Sequence, residues 1–212
     1  MSRTRVAVEV AVVTGLILAT IWLAPLWPDK VVAKRIGLAL ALTAFGIAVA
    51  SNLAHRDGWR DLGLRLDNFW PAVKRLAVPT LGFVVVLLLA GYFLDSLNFG
   101  ERAFRFRPRR FVWPLVQEYL LQCYLNRRLQ DIFGKGWWSA GIAAAIFAGL
   151  HAPNPFLMVA TFVAGGLWAR AFQREPNLLA VALSHSLLAF VLRYALPAWL
   201  LPNMRVGWSF WR

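Results

Sequence analysis

Cysteine is nearly absent: one residue in 212, Cys123, which rules out a disulfide within the chain and any cysteine-based zinc cluster. Charge is scarce too, at 16% of residues against 59% hydrophobic, and a soluble domain of this length is not built that way. The apolar runs lack the alternation of strands, and no internal repeat or low-complexity tract is found. The repeat expected of many transporter folds is therefore missing. Acidic residues number only 10 against 23 Lys and Arg, a net charge of +13. That excess does not indicate nucleic acid, because the basic residues are spread over every connecting segment rather than gathered on one face with stacking groups between them.

What remains is hydrocarbon-compatible sequence, with a mean hydropathy of +0.57. Apolar runs at 6–27, 31–53 and 74–96 are of spanning length, and the first reads as a retained helix rather than a cleaved leader. Further helices are expected over 111–130, over SAGIAAAIFAGLH up to His151, over 155–173 with the pair Gly165 and Gly166 as packing contacts, and over 177–200. Tryptophans near run ends, among them Trp22, Trp27, Trp70, Trp113 and Trp199, suit the interfacial belt. The reading is an all-α polytopic membrane bundle of about seven transmembrane helices, an integral membrane protein expected in the plasma membrane. Residues 1–100 hold the N-terminal helices with an interfacial segment near 56–73, and 101–212 hold the core of one integrated domain. The positive charges divide almost evenly between the two sides, so they do not set the orientation.

Ionisable side chains inside spans cost about 2.5–3.5 kcal/mol each on insertion scales and mark partners or pathways. Glu118, His151 and His185 are the three that stand out. Glu118 follows the expected helix start at Phe111 by seven residues, on the order of 10 Å of depth. The next helix returns His151 to that side, and the last carries His185 to near the bilayer middle, so the three can meet. Two imidazoles and a carboxylate are the ligand and base set of a hydrolytic zinc site, although this spacing on three helices is not that of HExxH. The alternatives are structural: Glu118 paired to a neighbouring helix through Arg193, His151 at an interfacial helix end, His185 as a hydrogen-bonded imidazole. His55, beside Arg56 and Asp57, reads as a solvated flank. The connector arginines Arg102, Arg105, Arg107, Arg109 and Arg110 read as juxtamembrane anchors.

Three segments, VQEYLLQCYLNRRL, IFAGLHAPNPF and ALSHSLLAFVL, resemble in order and spacing the motifs EExxxR, FxxxH and HxxxN or HxxxD of the CPBP family, the CAAX-protease and bacteriocin-processing (Abi-like) intramembrane metalloproteases. Phe147 and His151 meet the second motif. Gln117 stands at the first glutamate, Gln122 at the arginine, and Ala189 four residues after His185. The resemblance implies an all-helical endopeptidase acting on a membrane-associated or lipidated protein or peptide. Glu118 would activate a water, and His151 and His185, with Glu118, would hold a divalent metal, zinc, or the water itself. Asn154, Ser184 or Ser186 could supply the missing ligand. The other reading is a catalytically silent relative that binds a membrane peptide or assists another enzyme. In either case the partners are a membrane protein and the lipid bilayer, with no nucleic acid.

Overall fold

Hydrocarbon offers the backbone no hydrogen-bond partner, so each apolar run must close its own bonds as a helix. In the computed structural model the chain does so, with no strand among the described residues, 2–105 and 107–211. Met1, Phe106 and Arg212 lie outside them, as does the side chain of Arg102, one of the connector arginines. The helices are α1 (Arg3–Trp22), α2 (Lys30–Ala54), α3 (Phe69–Phe93), the single turn α4 (Glu101–Phe104), α5 (Arg109–Glu118), α6 (Arg127–Phe133), α7 (Trp137–Gly149), α8 (Pro155–Arg174) and α9 (Leu178–Ala195). A π-helical stretch, Tyr119–Asn126, joins α5 and α6 into one rod. Counting that rod once and setting α4 aside, seven helices make the bundle, and α1, α2, α3, α8 and α9 are long and apolar enough to cross a membrane.

Two of the boundaries that differ from the sequence reading have a local cause in proline. α3 begins at Phe69 rather than 74, because Pro71 falls in its first turn, where a missing N–H costs nothing, and Lys74 and Arg75 ride on the helix instead of preceding it. α9 stops at Ala195 rather than running to 200, since Pro197 forces the preceding Leu196 into extended backbone (φ −103°, ψ 146°).

The helices α8 and α9 are held at their N-termini. Asn177 and Asn154 cap α9 and α8, accepting from Ala180 N–H at 2.9 Å and Leu157 N–H at 3.1 Å. The interfacial segment packs against the start of α9: Leu178 N–H donates to Gly63 O at 3.0 Å, and the Asn177 amide to Arg65 O at 2.9 Å. Gly63 has φ +65°, and a Cβ there would stand 2.8 Å from the backbone nitrogens of Asn177 and Leu178. The same segment grips the rod, where Arg128, 1% exposed, pairs with Asp57 and with Asp131 (2.9 Å), and Cys123 Sγ reaches Leu62 O at 3.0 Å. α7 meets α8 through small residues. Ala140, Ala143 and Ala144 are buried, and a Cβ on Gly165 would lie 3.2 Å from the Phe147 ring, so that glycine is a packing contact.

Two stability changes follow. Gly63→Ala, strained in both dihedral and space, is expected to lose about 1–3 kcal/mol, whereas Gly46→Ala, with open space around it in α2, loses nothing; unfolding in detergent followed by tryptophan fluorescence compares them. Asp57→Ala strips Arg128 of its more buried carboxylate partner and is expected to cost about 3 kcal/mol in the same assay.

Candidate active site

The rod places one polar face inward. Glu118, the last residue of α5, is fully buried, and so are Gln122 and Asn126 one and two turns further on, in the π-helical stretch. Such stretches are rare in helices and concentrate at functional sites. From α9, His185, 8% exposed, meets the carboxylate: its Nδ1–H donates to Glu118 Oε1 at 2.8 Å. Gln122 Nε2 donates to the other oxygen at 3.0 Å. Both oxygens of the buried carboxylate are thus partnered, which is what makes it tolerable there.

His185 is fixed from its faces as well. The Trp168 indole of α8 stacks on it at 4.7 Å between centroids and 22° between planes, and the Phe147 ring of α7 stands edge-on at 6.1 Å. Trp168 is itself held by Nε1–H donating to Ser184 Oγ at 2.9 Å, and Ser184 also bonds Thr80 of α3 at 2.7 Å. His151 lies in the turn after α7. Its Nδ1–H donates to Phe147 O at 2.7 Å, and its ring lies edge-on to the same Phe147 ring at 4.7 Å. The structure therefore joins Glu118 and His185 by a direct bond and brings His151 beside them through a shared phenyl ring, with no bond from His151 to either.

The remaining candidates lie elsewhere. Asn154 is spent on its cap and on Arg205 O, Ser184 on Trp168 and Thr80, and Ser186 on Ala182 O at 2.7 Å; short polar side chains in helices commonly bond this way. Arg193 is exposed at the far end of α9, and Glu118 takes its partners from His185 and Gln122 instead. Gln117 is half-buried and Ala189 carries no ligand atom. Sequence reasoning missed Trp168, Asn126 and Gln173 of α8. The recurrence of polar residues four apart in an apolar run, 118, 122, 126 and 130, was the available signal for Asn126.

A catalytic zinc takes three protein ligands and an open position. Here each imidazole commits Nδ1, as ligating histidines commonly do with their second nitrogen, and each Glu118 oxygen accepts one hydrogen bond. No group of three or more His, Cys, Asp or Glu side chains among the described residues is placed to hold a metal ion. The side chains present do not make the three-ligand set.

Neither a curated protein nor a solved structure matches the chain. Residues 108–191, from the start of α5 through most of α9, match the family described as type II CAAX prenyl endopeptidase Rce1-like. The site just described falls wholly within that stretch, and the chain thus carries an Rce1-like domain of the CAAX protease family over residues 108–191.

Proposed function

We propose that this protein is an intramembrane endopeptidase that hydrolyses a peptide bond of a membrane-associated or lipidated protein in the cell membrane, with Glu118 as general base. The observation that carries the reading is the fully buried carboxylate bonded at 2.8 Å to an imidazole, inside a domain of a protease family. A carboxylate has about four lone-pair sites, and the two bonds to Glu118 leave room for a water. Glu118 takes one proton from that water, the hydroxide adds to the substrate carbonyl carbon, and Glu118 returns the proton to the amine nitrogen as the C–N bond breaks. His185, locked by Glu118 and Trp168, and His151, locked by Phe147 O, steady the water through their Nε2 atoms.

The family is generally metal-dependent. A divalent metal such as zinc would find two imidazole nitrogens here and would need a ligand beyond the described set, so the steps above use the chain's own groups. A second reading, a silent relative that binds a membrane peptide without turnover, draws support from Gln117, Gln122 and Ala189 at three motif positions.

Purified protein in nanodiscs, offered prenylated and unmodified membrane-anchored peptides, tests the choice. Glu118→Gln keeps the shape and removes the base, and is expected to slow cleavage roughly 10²–10⁴-fold, with His185→Ala falling alongside it. Peptide binding with no cleavage by the wild type would favour the silent reading.

A further inference from the structure

The buried polar residues behind Glu118 form a connected path that the hydrolytic scheme leaves unused. Arg170 on α8 donates to Gln173 Oε1 at 2.6 Å, and the Gly136 N–H, in the loop before α7, donates to the same oxygen at 3.1 Å. Gln173 Nε2 donates to Asn126 Oδ1 at 2.9 Å, Asn126 Nδ2 to Gln122 Oε1 at 3.0 Å, and Gln122 Nε2 to Glu118 Oε2 at 3.0 Å. Gln122 and Asn126 are fully buried and Gln173 is 6% exposed. The direction of this path is fixed by its ends. A guanidinium and a backbone N–H can only donate, and a carboxylate can only accept, so each amide between them must turn its oxygen toward Arg170 and its NH₂ toward Glu118.

We infer that Gln122, Asn126, Gln173 and Arg170 are positioning residues: a one-way chain of hydrogen bonds that aims the Glu118 carboxylate at His185 from the loop end of the bundle. Amides aligned head to tail polarise one another, and a cation at the head strengthens each donor in turn. Gln122 supplies the last donor, and its orientation depends on Asn126. The role in turnover rests on the reading of Glu118 as general base; the orientation of the carboxylate does not.

Asn126→Asp separates polarity from bond counting. The introduced carboxylate has nearly the same shape and, ionised under the Gln173 and Gln130 amide donors, accepts but cannot donate to Gln122, so the Gln122 amide turns over and presents its oxygen to Glu118; the spectra are recorded at alkaline pH to keep it ionised. In ¹⁵N-histidine-labelled protein, with the His185 resonances identified by their absence in His185→Gln, Asn126→Asp and Asn126→Leu are expected to displace or broaden the His185 Nδ1–H signal. Gln130→Leu, which removes a side branch onto Asn126, leaves it in place. In cleavage the two Asn126 variants lose kcat roughly 10–100-fold, as for loss of an outer partner that orients a site group, with KM retained. Arg170→Leu, at the half-buried head, moves the same signal by less, Arg170→Lys restores it, and this pair decides the matter if the Asn126 variants fail to fold. A His185 signal unchanged in Asn126→Asp, or in Arg170→Leu where that pair decides, overturns the inference. A wild type that cleaves no peptide counts against the peptidase reading alone, and the resonance comparison still decides the chain.

Discussion

A carboxylate inside a membrane bundle has to be supplied with donors before anything else can be arranged, since a buried polar group without them costs several kcal/mol. Glu118 takes one donor from α9 and one from its own rod. That requirement orders the layers. The rod is the least apolar of the seven helices, and its middle, Leu121–Asn126, is buried among the others. α1, α2 and α3 turn Val8, Leu42, Val78, Val85 and similar side chains outward, while Glu118, Gln122 and Asn126 have no exposure at all. The apolar spans act as the solvent boundary for a polar interior.

Close backbone approach sets the other half of the geometry. α7 is only 13 residues long and offers α8 little but alanine, which lets the two helices come near enough for Gly165 to abut the Phe147 ring. Phe147 then serves both imidazoles, through its backbone oxygen and ring face to His151 and through its ring to His185. A side chain at 165 would push that ring, and both histidines would feel it.

Helix positions were readable because the bilayer fixes how long an apolar run must be, and the depths of Glu118, His151 and His185 followed from a fixed rise per residue. Rotation about the helix axis is not fixed by depth, so the bond between Glu118 and His185 could not be read from the sequence, nor could the lack of one from His151. The start of α3 was hidden because hydropathy scores Lys74 and Arg75 as loop, although long basic side chains at a helix end can reach the interface. The π-helical stretch leaves no mark in composition. Which amide bonds which depends on α8 meeting the rod, a contact between residues some 47 apart for Asn126 and Gln173.

Gln122 looks different from the two vantage points. Against the family pattern it is a lost arginine; against the carboxylate it is the donor on Oε2. An arginine buried at this position would carry the desolvation cost of its charge, which an amide avoids. The amide brings no charge, and in this chain the charge enters three residues away along the hydrogen bonds, at Arg170, where the guanidinium stacks on Trp137 at the bundle's rim and is only half-buried. The arrangement keeps the cation away from the carboxylate and delivers its polarity through neutral groups. The substitution therefore leaves the carboxylate's need for a donor satisfied by other chemistry.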